Sequence, residues 1–163
     1  MSTIQRVALA NDTLLARYQS RGYVDCFEAH VARECTLVTF VTAFYTTRLF
    51  KLERLILRIA LARPSTDDDA SRIATGLSDT FAAWHVEARE QSELLLCDLS
   101  GRTRSWFAVF PSTSTTRLCF GSAVVAKNSN GTIGIAGSAP VLGVQQLYSR
   151  ALLRAALKRL NRA

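Results

Sequence analysis

One stretch, Thr80 to Lys127, constrains the fold more than any other part of the chain. Apolar and polar residues alternate in its first piece, Phe81 to Glu90, and short polar segments divide the stretch into four pieces. Alternation with a period of two is typical of a strand with one buried face. The dividing segments are the pairs Gln91-Ser92 and Ser100-Gly101 and the loop Pro111 to Thr115. Turns this short join antiparallel neighbours, so the stretch predicts a four-stranded antiparallel meander.

The turn lengths also predict the register of the meander, with one packed side and one wetter side. Trp84, Val86, Ala88, Leu95, Trp106 and Phe120 are expected on the packed side. The predicted neighbours are Val86 with Cys97 and Arg104, Ala88 with Leu95 and Trp106, Phe120 with Trp106, and Ser122 with Arg104.

Arg104 is the most informative residue of this register, because it falls on the apolar side. A guanidinium there needs a partner, since an unpaired buried charge is costly. One interpretation is that Arg104 binds an anionic or carbonyl group of a ligand, in a pocket lined by Trp84, Trp106 and Phe120. The alternative is that Arg104 reaches water at a strand end, or pairs with a carboxylate inside the protein.

The rest of the chain predicts one more strand and several helices around the meander. Tyr23 to Val31 alternates as a strand, and Thr132 to Ala136 is a candidate sixth strand. The helices are predicted from Leu37 after a Thr36 cap, with a break at Thr46-Thr47, over Arg48 to Ala62, over Ala70 to Leu77 after the carboxylates of Ser65 to Asp69, and from Pro140 to about Leu160.

The predicted C-terminal helix has small residues on the face expected to meet the sheet. Val144, Tyr148, Ala151 and Ala155 share that face. Either the helix packs closely on the strands, or a cavity lies between them. In the second case Tyr148 would place its hydroxyl in the pocket, across from Trp106.

Length and composition predict a single domain over residues 1–163. The net charge is +7, but the basic residues are dispersed and no nucleic-acid-binding motif is present, so nucleic acid is not an expected partner. The four cysteines form no CxxC pair and there is no secretory signal, which favours a reduced, cytoplasmic protein. No stretch is apolar enough for a transmembrane segment, and no metal or cofactor motif occurs, including a phosphate loop.

The order of strand, two helices, meander and long C-terminal helix resembles the helix-grip domains of the START and Bet v 1-like superfamily, which includes the polyketide cyclases. The likeness covers Tyr23–Val31, Leu37–Ala62, Phe81–Lys127 and Val141–Leu160. The runs YVDCFE, FYTTRLFKLERLILRIAL and LLLCDLSGRTRSWFAV look like a group of small bacterial proteins related to that superfamily. The resemblance implies an α+β fold in which a curved antiparallel sheet packs against the C-terminal helix, with an apolar ligand between them. The chain predicts five or six strands, where the family usually has about seven.

Three hypotheses about function follow. The first is a binding protein for a lipid-like or aromatic molecule, with Arg104, Ser122 and Tyr148 orienting its polar end. The second is a cyclase or hydrolase on the same scaffold; its acid or base would come from His85, Asp98 or Glu87, and His85 is expected to face Asp98 on the wetter side. No residue is assigned a catalytic role. The third is a protein-interaction module without a cavity, and the oligomeric state stays open.

Overall fold

The computed structural model describes residues 3–51, 65–125 and 139–161, and its strands form a single antiparallel sheet. The strands are β1 (Gln5–Arg6), β2 (Gly22–Val31), β3 (Thr80–Phe81), β4 (Trp84–Arg89), β5 (Glu93–Asp98), β6 (Thr103–Pro111) and β7 (Thr116–Val125). The helices are α1 (Leu37–Tyr45), α2 (Asp67–Thr75) and α3 (Ala139–Leu160), with a 3₁₀ helix at Leu14–Tyr18 and a helical turn at 48–51.

The strand order is β1-β2-β7-β6-β5-β4-β3, with every neighbouring pair antiparallel. The predicted meander is confirmed as β4 to β7. The strand predicted at Tyr23 to Val31 is β2, and it pairs with β7. The α+β class is confirmed too, because α3 packs against β2, β7 and α1. The described strands number seven rather than five or six, since the two-residue strands β1 and β3 were not predicted. The predicted strand Thr132 to Ala136 lies outside the described residues.

Helix α1 begins after the predicted cap Thr36, and α2 begins at Asp67, three residues before the predicted start at Ala70. Thr36 accepts a hydrogen bond from the Thr39 N–H at 3.1 Å, and Thr66 and Asp69 form a reciprocal capping box at the start of α2. The chain breaks between α1 and the next turn at Thr46-Thr47, as predicted. Of the predicted helix Arg48 to Ala62, the first turn is confirmed and residues 52–64 lie outside the described part of the chain. None of the described helices is long and apolar enough to span a membrane.

Both faces of the sheet are packed, so the prediction of one wetter side is wrong. On one face, here called the helix face, the buried core includes Phe107, Phe120, Leu94 and Leu96 together with α1, α2 and α3. On the opposite face, here called the 3₁₀ face, a second core forms around Trp106 under the 3₁₀ helix. The run ELLLCDL, which contains β5, agrees with burial on both faces, because a strand buried on both sides shows no alternation of apolar and polar residues.

Two local features explain the difference in register. The pairing shifts between Val86 and Ala88, so that Val86 pairs with Leu96 rather than with Cys97. The loop after β6 is one residue shorter than predicted, since Pro111 pairs with Thr116. A shift of one residue turns every side chain of a strand to the other face. Ala88, Leu95 and Trp106 align as predicted, but Trp106 pairs with Gly121 rather than Phe120.

Candidate functional site

A cavity of about 710 Å³ lies between the helix face of the sheet and the first half of α3. It is walled by aromatic and aliphatic side chains and by a smaller set of hydroxyl and amide groups. The apolar lining is Phe44, Tyr45, Phe50, Ala83, Trp84, Leu99, Phe120, Tyr148 and Leu152, and the polar lining is Asp98, Ser100, Thr103, Ser105, Ser122, Gln145 and Ser149. This size and this mixture are typical of small-molecule sites.

The two halves of α3 have different surroundings, since the second half lies in the core and the first half borders the cavity. The second half is packed into the core through Leu153, Ala156 and Leu157. The first half lines the cavity with Gln145, Tyr148 and Ser149. The predicted sheet-facing side of α3 is wrong, because Ala151 is exposed and the buried positions follow Ser149 at helical spacing.

The sheet surface opposite the first half of α3 carries a row of polar side chains. Asp25, Ser122 and Ser105 are neighbours in three adjacent strands and form a polar row across an otherwise apolar face. All three are buried. Asp25 and Ser122 hydrogen-bond to each other, and Gln145 of α3 donates to Ser122 from the helix side. The row therefore gives the cavity hydrogen-bonding groups on its sheet side, through Ser105 and Ser122.

Asp25 lies at one end of this polar row and accepts several hydrogen bonds. Its carboxylate accepts hydrogen bonds from the Ser122 N–H at 3.2 Å and from the Ser122 hydroxyl at 2.7 Å. Tyr23 donates to the same carboxylate at 3.5 Å, and Arg6 donates to the Tyr23 hydroxyl at 3.5 Å. Burial raises the pKa of the Asp25 carboxyl above its ordinary value, although the Ser122 hydrogen bonds act in the opposite direction.

The turn between β5 and β6 forms the rim of the cavity. Asp98 organises this turn, because its carboxylate accepts from the N–H groups of Arg102 and Thr103 at 2.9 and 3.0 Å and from the Ser100 hydroxyl at 2.5 Å. Leu99 beside it is 52% exposed and Tyr148 on α3 is 37% exposed, so the cavity opens here.

The predicted pairing of His85 with Asp98 is wrong. The register shift between Val86 and Ala88 places His85 opposite Cys97, and Trp84 opposite Asp98. The Asp98 carboxylate is engaged by the turn, so it does not orient an imidazole. The acid–base pair suggested for an enzyme is therefore not assembled by this sheet.

Arg104 and Trp106 lie on the 3₁₀ face, so the prediction that placed them beside the C-terminal helix is wrong. The Arg104 guanidinium donates to Glu87 at 2.7 Å and to the Gly101 carbonyl at 2.6 Å, and it lies over the Tyr18 ring at 4.7 Å. This is the alternative in which the arginine pairs with a carboxylate inside the protein. The cause is again register, because Arg104 pairs with Ala123 rather than with Ser122.

Trp106 has a structural partner on the 3₁₀ face. Its indole N–H donates to the Glu93 carboxylate at 2.7 Å, and the same oxygen accepts from the Leu14 N–H at 2.9 Å. Glu93 thereby joins the start of the 3₁₀ helix to the sheet. Trp106 is only 1% exposed, so it offers little surface to a ligand.

Of the six predicted ligand-binding residues, the structure brings four to the cavity: Trp84, Phe120, Ser122 and Tyr148. Sequence reasoning missed Asp25, Ser105, Gln145 and Ser149. A usable signal existed for Asp25, because it interrupts an apolar strand, whereas Ser105 only continues the polar start of β6. Gln145 and Ser149 carried no such signal, since polar residues are ordinary on a helix that is partly exposed.

Within the described residues, no group of three or more His, Cys, Asp or Glu side chains is placed to hold a metal ion. All four cysteines are free and buried. The cavity offers hydrogen-bonding groups and aromatic surface rather than a ligand set for a cation. Comparison of the chain with protein-family models, with curated proteins and with solved structures finds no match.

Proposed function

We propose that this protein binds an apolar small molecule, lipid-like or aromatic, in the cavity between the sheet and α3. The cavity itself is the observation that carries the proposal. The cavity has a volume of about 710 Å³ and opens beside Leu99 and Tyr148, and this volume is in the range of small-molecule sites. A lining of aromatic side chains with a few buried polar groups is how such molecules are usually held.

The proposal includes membership of the START and Bet v 1-like superfamily. The long C-terminal helix across an antiparallel sheet supports it, as does the seven-stranded order. A cytoplasmic location is part of the same proposal, supported by four free buried thiols.

The two tryptophans make a direct test possible, because they lie on opposite faces of the sheet. Trp84 lines the cavity, whereas Trp106 is buried on the 3₁₀ face. A brominated ligand such as bromodecane quenches tryptophan emission on contact. We expect bromodecane to quench the wild-type protein and the Trp106→Phe variant, and to leave the Trp84→Phe variant unquenched. Decane, which lacks bromine, is the control for solvent effects.

Affinity should also follow the length of the ligand. Each buried methylene is worth about 0.8 kcal/mol, or about a fourfold change in Kd. A series of bromoalkanes should therefore bind more tightly with length until the cavity is filled. Quenching that survives in Trp84→Phe, or no quenching in any variant up to the solubility limit, would contradict the proposal.

A second candidate is an enzyme that transfers a proton to or from the bound molecule. Asp25 favours it, because this buried carboxyl has a raised pKa and is joined to the cavity through the Ser122 hydroxyl. Perturbed carboxyl groups beside cavities are candidates for acid–base roles. Mass spectrometry of molecules extracted from the purified wild type and from Asp25→Asn tests this candidate. An identical molecule in both proteins would argue against conversion.

A further inference from the structure

The polar groups of the cavity form a hydrogen-bond chain with a defined direction. The Ser122 hydroxyl donates to the Asp25 carboxylate at 2.7 Å, so its oxygen is left as an acceptor. Gln145 fills that position, with its side-chain N–H donating to Ser122 at 3.2 Å. The direction of the chain, from Gln145 through Ser122 to Asp25, fixes which end of the Gln145 amide points to the sheet.

This orientation determines what the cavity offers to a ligand. One N–H of the Gln145 amide is used by Ser122, and no residue in the described part of the chain takes up its carbonyl oxygen or its second N–H. Gln145 lines the cavity, so one acceptor and one donor are available there. A hydroxyl or a primary amide, which both donates and accepts, matches this pair.

The charge of the lining argues against an anionic group. The described lining contains no Arg, Lys or His, and its one carboxylate, Asp98, is held by the β5–β6 turn. Arg104, the cation expected to recognise an anion, is paired with Glu87 on the other face. A carboxylate or phosphate in the cavity would lose its hydration near Asp25 with no positive partner among these residues, which is strongly unfavourable.

A cationic group would also be matched poorly. Asp25 already accepts from the backbone and the hydroxyl of Ser122, and the Ser122 side chain lies between it and the cavity. An ammonium group has only donors, so it would leave the second Gln145 N–H facing another donor.

We propose that the cavity takes an apolar molecule that ends in one uncharged hydroxyl or amide group, paired with the side chain of Gln145. This inference rests on the proposed binding function and specifies the ligand class for the same cavity. It replaces the expectation that Arg104 binds an anionic or carbonyl group of the ligand.

The test compares ligands that share one apolar body and differ only at the head: decane, decanol, decanamide, decanoate and decylamine. Each competes with bromodecane for quenching of Trp84 at neutral pH. Decanol and decanamide should bind at least about tenfold more tightly than decanoate or decylamine. Naphthol and naphthoate repeat the comparison on an aromatic body.

Gln145→Leu should weaken the binding of decanol by about three- to tenfold, because the polar contact is lost. The binding of decane should stay unchanged or become tighter. Gln19→Leu is the matched control, since Gln19 is exposed and donates to the Leu9 carbonyl away from this cavity. It should leave both ligands unchanged. The unchanged binding of decane to Gln145→Leu also shows that the variant is folded.

Two other outcomes are informative. If decanoate or decylamine binds most tightly, or if decanol binds equally to Gln145→Leu and wild type, the head-group inference is overturned while the proposed function stands. If no compound of the decane or naphthalene series displaces bromodecane and restores the emission of Trp84, the proposed function fails as well.

Discussion

Replacing Gly121 with alanine tests which face of the sheet carries Trp106. A Cβ atom at this position would lie 2.6 Å from Leu15 Cδ2, 2.9 Å from the Asp25 carbonyl oxygen and 3.0 Å from Trp106 Cε3. The leucine methyl can move, but the Asp25 carbonyl belongs to the paired strand β2 and the Trp106 ring is fully buried. The added methyl group therefore forces the backbone or the ring to shift.

The expected cost follows from these distances. Overpacking a close-packed interior destabilises a protein by about 1–3 kcal/mol. The loss of glycine flexibility in the unfolded chain opposes this by about 0.4–1 kcal/mol. Gly121→Ala should therefore lower the free energy of unfolding by about 1–2 kcal/mol, which corresponds to a fall in Tm of about 2–8 °C for a chain of this size.

The assay is urea unfolding followed by circular dichroism, with Gly143→Ala as the matched control. Gly143 lies in α3, and among the described residues a Cβ atom there meets nothing within 4 Å. That variant should gain about 0.5–1 kcal/mol, because alanine is the better helix former. If Gly121→Ala is stabilised as much as Gly143→Ala, then Gly121 does not face Trp106 and the observed register of β7 is refuted.

Three further outcomes are expected. Ser149→Leu should fill part of the cavity, and thereby raise the free energy of unfolding by about 1 kcal/mol and weaken the binding of bromodecane. Ala151→Leu, on the exposed side of α3, is the control and should change neither the stability nor the binding. A clear destabilisation by Ser149→Leu would mean that the space is absent. Glu93→Leu removes the acceptor of two buried N–H groups and should cost about 2–5 kcal/mol in urea unfolding, and a loss below about 1 kcal/mol would contradict this role. The pKa of the Asp25 carboxyl is raised in the folded state, so on raising the pH the unfolded chain loses this proton first. The free energy of unfolding of the wild type should therefore fall, relative to that of Asp25→Asn, as the pH rises from about 4 through the folded pKa. Urea unfolding at a series of pH values measures this difference, and a rise in place of the fall would refute the argument.

The elements of the fold were predictable because their signals are local. Alternation in β4, the Thr36 cap of α1 and the proline at the start of α3 each depend on residues close together in the chain. Short turns between strands then made the antiparallel meander the simplest arrangement. The strands β1 and β3 were missed because two residues are too few for any periodic pattern.

The candidate site was less predictable, because its composition depends on register. Trp84, Phe120, Ser122 and Tyr148 were correctly grouped around a space beside the C-terminal helix, although partly through a wrong alignment. One irregularity beside Glu87 and one residue fewer in the turn before Thr116 moved Arg104 and Trp106 to the other face. Neither feature has a signature in the sequence, since many residue types allow a bulge or a short turn.

The sequence by itself determined the class of the fold, the meander and the long C-terminal helix, because hydrophobic periodicity and capping act over a few residues. Only the tertiary structure decided which side chains share a face, because a single-residue shift in pairing reverses a whole strand. It alone brought Asp25, Ser122 and Gln145 together from two strands and a distant helix. Their proximity results from packing across the sheet, which no local pattern in the chain encodes.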